Sequence, residues 1–218
     1  TVLLHANNRP APLGMKLFKS SGGVFRPVPK INFGIERLEK NLEDWLGSNR
    51  HLLGDDILLI GRQVKTDHGI IDLLAIDSKG NAVVIELKRG RATREVVGQL
   101  NSYLTIVNRW SDHDLEKSAN LIPYSKESSN LIKKFKEHFK CGEAPDFNAD
   151  QIGIVVAEEY EPDFVPQIGG LRFECRVLQF SNFLTQSDDE YLLINALHDS
   201  TSEDERSSPD DESDEETP

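Results

Sequence analysis

Two acids and an amine interrupt an otherwise apolar stretch. In GIIDLLAIDSKGNAVVIELKRG, residues 69–90, apolar runs flank a short turn, with Asp72 inside the first run and Glu86 and Lys88 inside the second. A symmetric loop of Ser78, Lys79 and Gly80 would pair Asp77 with Asn81, Gly80 supplying the left-handed conformation such loops favour. Counting back in that register sets Asp72 opposite Glu86, and strand alternation puts Glu86 and Lys88 on one face. Leu74, Ile76 and Val84 share that face, which predicts partial cover from water. Like charges set opposite each other destabilise a sheet, and a buried unpaired carboxylate costs on the order of several kcal/mol. Lys88 can neutralise one acid. The leftover charge calls for another cation, and oxygen ligands of this kind suit a hard divalent ion such as magnesium.

Such a cluster needs elements that hold it. Helical periodicity places a helix from Thr93 to about Arg109, with Val97, Leu100, Leu104 and Val107 on its core face. Gln99 and Tyr103, four apart, share a different face of that helix. The turn predicted before it, KRGRATRE, carries Lys88, Arg89, Arg91 and Arg94, cations close to the proposed ion where phosphates need neutralising. An earlier helix, in FGIERLEKNLEDWLGSN, has Ile35, Leu38, Leu42, Trp45 and Leu46 as its apolar stripe and Gly47 as its stop. Glu39 lies at the edge of the stripe, and the other charged residues are expected on the opposite side.

The remaining pattern gives a strand in DILLIGRQV, an irregular stretch at 111–124 and an amphipathic helix in KESSNLIKKFKEHF. Strands are predicted in DQIGIVVAEEY and LRFECRVLQF, around a short helix or turn at PDFVPQ. A last short helix, SDDEYLLINALHD, is predicted from a capping box of Ser187 and Glu190. This order defines an α/β protein with a mixed central sheet flanked by helices. Three segments follow: an extended arm at 1–33, basic and rich in Pro and Gly with Lys16 and Lys19, a globular domain at 34–198, and an acidic tail at 199–218.

Net charge is −12 over 218 residues, but the tail holds ten acids and one base, leaving −3 for residues 1–198. That tail has no large apolar anchor and is expected to be disordered, serving as a solubilising end, a docking tail for a protein partner, or a decoy for basic surface. Cys141 and Cys175 are far apart and lack metal-ligand spacing, so a disulfide framework and a structural zinc site are not expected, and a reducing cytoplasm is the simplest home. No apolar run has the ~18 residues of a membrane span, and residues 1–30 lack a secretory signal. The six histidines assemble no competing site.

Asp72-x13-Glu86-x-Lys88 resembles the signature of the PD-(D/E)XK nuclease superfamily, and Gln99-x3-Tyr103 is similar to the QxxxY element of its RecB-like branch. The run from Gly69 to Tyr103 looks most like the nuclease domain of the NucS (EndoMS) family, and Glu39 matches that family's helix-one glutamate, over roughly residues 33–180. Ile71 stands where the superfamily name has proline. About thirty residues precede the first helix, where NucS proteins have a separate DNA-binding and dimerisation domain, so mismatch specificity and paired double-strand cutting do not carry over. The resemblance implies a restriction-endonuclease-like α-β-β-β-α-β core and a Mg2+- or Mn2+-dependent DNA endonuclease, acting in repair or defence. Asp72, Glu86 and the Leu87 backbone carbonyl would hold the ion, with Lys88, Glu39, Gln99 and Tyr103 completing the site. DNA would be met by Arg89, Arg91, Arg94, Lys16 and Lys19. A homodimer stays open. So does an inactive nuclease-like module that binds DNA or assembles with a partner.

Overall fold

The structure is a computed structural model that describes residues 16–32, 39–122 and 130–200, apart from the side chains of Glu39 and Arg50. Residues 1–15, Ile35, Leu38, residues 123–129 and the tail beyond Ser200 lie outside the described residues, with the expectations placed on them.

Three antiparallel strands, β4 (Ile57–Thr66), β5 (Gly69–Asp77) and β6 (Ala82–Ala92), form one half of the main sheet. Beyond β6 the pairing turns parallel, through β7 (Gln151–Tyr160) to β8 (Glu174–Leu184). The sequences VVIEL and IGIVV are nearly continuous apolar runs because parallel strands are covered on both faces. A helix of 14 residues, α2 (Arg94–Val107), crosses one face and packs Leu100 and Leu104 over Leu74, Ile76 and Val84. It sits so close that a Cβ on Gly153 of β7 would lie 2.8 Å from Leu100 and 3.1 Å from Leu104. Leu42 and Leu46 of α1 (Glu39–Ser48) cover the other face, against Leu73, Ala75, Ile85 and Leu87. The expected fold class therefore holds, a mixed sheet between helices.

The 78–80 loop is as its residues require. Asp77 and Asn81 pair through their backbones at 3.0 Å, Gly80 takes φ +91°, and the Asp77 carboxylate accepts from the Lys79 and Asn81 amides.

Four expectations are corrected. The segment 88–92 is no turn, because β6 runs through Ala92 and only Thr93 separates it from α2. Residues 112–118 form a helix, α3 (Asp112–Ser118), opened by a capping box of Ser111 and Asp114. Residues 190–199 form an edge strand, β9 (Glu190–Asp199), antiparallel to β8, where a helix was predicted. There Thr185 and Asp189 close a hairpin turn with Asp188 at φ +59°, and Leu192 and Ile194 reach the α1-side core at a period of two. Last, the arm is not simply extended. Leu17–Ser21 (β1) and Val24–Val28 (β2) make a separate two-stranded ribbon, and Lys30–Ile31 (β3) pairs with β8. The PDFVPQ stretch is a short helix, Phe164–Gly169, as expected. Asn130–Phe139 is the amphipathic helix. No helix among the described residues is long and apolar enough to cross a membrane.

Candidate active site

The β5–β6 ladder runs from Ile76↔Ala82 to Leu73↔Ile85, and the next step in that register sets Asp72 opposite Glu86. At that step a side chain takes over from the backbone. The Leu87 amide donates to Asp72 Oδ2 at 2.9 Å, so the carboxylate is pulled across the strand gap toward its partner. Glu86 is 0% exposed, and neither of its carboxylate oxygens has a hydrogen-bond partner in the protein. Lys88 Nζ lies 3.6 Å from Glu86 Oε2 and is 24% exposed, so it bridges the buried acid and the surface. Burial, and then the neighbouring Asp72 charge, push the Glu86 pKa up to about 8 against the opposing pull of Lys88.

A buried carboxylate with no hydrogen bond to either oxygen is expensive, and the single ammonium of Lys88 cannot balance both Glu86 and Asp72. The donors here are hard oxygens, as a divalent ion such as Mg2+ or Mn2+ requires. Asp72 and Glu86 could supply two side-chain ligands. Among the described residues no group of three or more His, Cys, Asp or Glu side chains could hold an ion, so further ligands would be backbone carbonyls, such as that of Leu87, or water. The fit is that of a two-carboxylate site.

Helix α1 brings a third acid near, Glu43, one the sequence reading did not single out. The Glu39 side chain lies outside the described residues, whereas Glu43, one turn later, is 6% exposed and not on the solvent side as expected. Glu43 is held by the Arg62 guanidinium, which also reaches Asp44 at 2.6 Å. Gln63 stands opposite Asp72 in the β4–β5 register, with φ +49°, unusual for a residue other than glycine. Its Nε2 lies 3.2 Å from Glu43 Oε2 and 3.2 Å from Asp72 Oδ1, and so ties the two acids together. Lys40, Glu43, Asp44, Arg62, Gln63 and Asp72 line an open cleft of about 690 Å3. Sequence reasoning missed Glu43, Arg62 and Gln63. The available signal was the four-residue step from Glu39 to Glu43, which stacks the two on one helical face.

On the other face Gln99 Nε2 donates to the Tyr103 hydroxyl at 3.3 Å, so the two residues meet as their spacing implied. Tyr103 is buried, its hydroxyl packed so tightly on Gly69 that no Cβ would fit there. The basic residues are less uniform. Arg91 is committed to Glu159 at 2.9 Å, Lys19 lies 3.4 Å from Asp189, and Arg89, Arg94 and Lys16 are exposed. Glu161 accepts from the Arg94 backbone amide at 3.1 Å and thereby caps the start of α2.

The family described as the endonuclease NucS C-terminal domain matches residues 38–123. Relatives named Endonuclease NucS include one from Sulfurisphaera tokodaii, 31% identical over 106 residues, 48% of this chain and 41% of the relative. Another, from Corynebacterium diphtheriae, is 38% identical over 72 residues, 33% of this chain and 31% of the relative. Among solved structures, a repair endonuclease from Pyrococcus abyssi aligns at 22% identity with a TM-score of 0.42, over 66% of this chain and 48% of that one. The chain thus spans less than half the length of these proteins. Over residues 38–123 it resembles the NucS nuclease domain, a stretch shorter than the 33–180 expected but one that takes in Glu39, Asp72, Glu86, Lys88, Gln99 and Tyr103.

Proposed function

We propose that this chain is a divalent-metal-dependent endonuclease that hydrolyses DNA phosphodiester bonds, with residues 34–198 as its nuclease domain. The observation that carries this reading is Glu86, fully buried with neither oxygen hydrogen-bonded, beside Asp72 and Lys88. Asp72, Glu86 and the Leu87 carbonyl would hold Mg2+ or Mn2+. When bound, that ion supplies an acidified water and polarises the scissile phosphate. Lys88 reaches from the buried acid toward solvent, placed to orient or help deprotonate the attacking water and to offset charge growing on the phosphate. Gln99 and Tyr103 would position the backbone and the metal site, and Glu39 would hold the metal's water shell or a second ion. Arg89, Arg91 and Arg94 would contact DNA phosphates, joined by Lys16 and Lys19. The tail at 199–218 would serve a protein partner or solubility.

The test is a panel of single-stranded, duplex, mismatched, flapped and branched DNA, incubated with Mg2+, with Mn2+ or with EDTA. Cleavage of at least one substrate only when metal is present is the expected result. No cleavage of any member with either metal would remove the enzyme reading.

Gln63 gives a sharper prediction. Its amide holds Asp72 from the side opposite the Leu87 amide, as outer partners of ligands do. Gln63→Ala is expected to weaken Mn2+ binding about tenfold with little change in Tm, because the side chain is exposed. Titration calorimetry measures the first and a melting curve the second. Unchanged Mn2+ affinity would leave Gln63 without a role at the site.

A further inference from the structure

The ribbon of β1 and β2 lies outside the stretch that matches NucS, and the chemistry above does not explain it. Among the described residues it is tied to the body at its base and, midway along β1, by Lys19, whose Nζ lies 3.4 Å from Asp189 Oδ2. Val28 is buried, Leu17 half-buried, and every other residue of 17–28 is exposed. The Leu184 amide donates to the Pro29 carbonyl at 3.1 Å, β3 pairs with Asn182 and Phe183, and Lys30 Nζ lies 3.9 Å from the buried Glu158.

Cross-strand pairing sorts the ribbon into two faces. Phe18 faces Pro27 and Ser20 faces Phe25, so both phenylalanines lie on one side, while Lys19 and Arg26 pair on the other. Phe18 is 49% exposed and Phe25 68%. Two aromatic rings held out in water on one face of a small ribbon mark a contact surface. Charge says what it contacts. Residues 16–32 hold Lys16, Lys19, Arg26 and Lys30 and no acid, in a chain of net charge −12. Lys19 and Lys30 are engaged by Asp189 and Glu158, whereas Lys16 and Arg26 are exposed with no ion pair among the described residues. An apolar protein surface would cover the rings but gain nothing from the cations. A nucleic-acid strand uses both.

The ribbon is also in the right place. Lys88 pairs with Ala157, and Ala157 with Gln179, along the parallel strands β6, β7 and β8. Past Gln179, β8 picks up β3 at Asn182 and Phe183, so the ribbon leaves the sheet at the same end as Glu86 and Lys88. In the strand order β3-β8-β7-β6 it starts three strands from β6, roughly 14 Å across the sheet.

We infer that the ribbon binds single-stranded nucleic acid, stacking unpaired bases on Phe18 and Phe25 while Lys16, and Arg26 where the strand passes round the ribbon's edge to the other face, hold phosphates. In a duplex the base faces are already covered, so the aromatic face discriminates for an unpaired strand, and the cations add salt-sensitive affinity common to both. The inference rests on the nuclease reading for the strand's destination at Glu86, but not for its test.

The experiment uses the full chain in EDTA, with labelled oligo-dT and a blunt duplex of equal length, read by fluorescence anisotropy across a salt series. The expected result is tighter binding of oligo-dT than of duplex. The double variant Phe18→Ala, Phe25→Ala should lose about tenfold or more of the oligo-dT affinity and keep its duplex affinity. Lys16→Ala with Arg26→Ala should flatten the salt dependence for both ligands. Oligo-dT binding unchanged in the phenylalanine variant overturns the proposal. So does an equal loss for both ligands, or a change in sedimentation with DNA binding intact, which would mark a self-association surface. The substituted residues are exposed, so a melting curve should match that of the parent chain. Wild-type protein that binds oligo-dT through Phe18 and Phe25 yet cuts nothing in Mg2+ or Mn2+ would end the nuclease reading and leave the ribbon standing.

Discussion

Asp72→Asn and Lys88→Met are each expected to lower DNA cleavage about 100-fold or more while the protein stays folded and still binds DNA in EDTA. The replacements follow from the contacts. Asp72 accepts from the Leu87 amide at 2.9 Å and from Gln63 at 3.2 Å. Alanine would strand the Leu87 N–H at a cost of about 1–3 kcal/mol and blur a chemical defect with a structural one. Asparagine keeps an oxygen for Leu87 and gives up only the contact with the exposed Gln63, whose Nε2 still has Glu43. What is lost is the charge an ion requires. Lys88 is the one cation within ion-pair distance of Glu86 among the described residues, at 3.6 Å. Methionine retains most of the apolar stem and removes the ammonium, so the attacking water loses its orienting group and the phosphate its counter-charge. Effects of this size are usual when a single preorganised charge at a reacting centre is deleted. Single-turnover cleavage of a labelled oligonucleotide, with melting temperature and EDTA-state affinity alongside, separates chemistry from folding and binding. Either variant cutting at the wild-type rate would remove its residue from the mechanism.

The site's central triad was legible because its geometry is local. A strand has a period of two and the 78–80 loop fixes its own register, so Asp72, Glu86 and Lys88 could be brought together by counting. Gln99 and Tyr103 followed from one helical turn in the same way. Residues whose neighbours are distant in sequence were not legible. Glu43 is polar by type, and only Arg62 and Gln63, about twenty positions on, make its burial tolerable. Gln63 reaches both acids from a backbone with φ +49°, which no local pattern announces. The strand Glu190–Asp199 carried a capping-box sequence, and its pairing with β8 outweighed that weak local preference. The ribbon was read as an arm because Pro and Gly suppress helix without revealing that Phe18 will face Pro27.

Glu86→Gln is expected to stabilise the metal-free protein at high pH and to destroy its response to metal. Folding raises the Glu86 pKa from 4.5 to about 8, chiefly through burial. Between those values the folded protein holds a proton that the unfolded chain has released, so stability falls as pH climbs through the window and the full penalty is present above 8. The gap corresponds to at most about 5 kcal/mol, less what glutamine's own buried amide leaves unsatisfied. A net gain of about 2 kcal/mol for the variant at pH 8.5 in EDTA, several degrees in Tm, is the expected balance. Near pH 4.5 the folded state holds the proton and the unfolded chain is half protonated, so the proton-linked part is nearly gone. There the gain should give way to a loss of about 2 kcal/mol, glutamine's own penalty. Metal reverses the order. An ion must displace the Glu86 proton, so Mn2+ affinity should rise with pH up to about 8, and wild-type Tm in saturating Mn2+ should rise with it. The glutamine variant offers no charge to that ion. Thermal unfolding at pH 5, 7 and 8.5, with EDTA and with Mn2+, measures all of this in one series. A Tm gap that ignores pH would show that Glu86 does not titrate as its burial demands, and an undiminished Mn2+ response in the variant would show that another residue holds the ion.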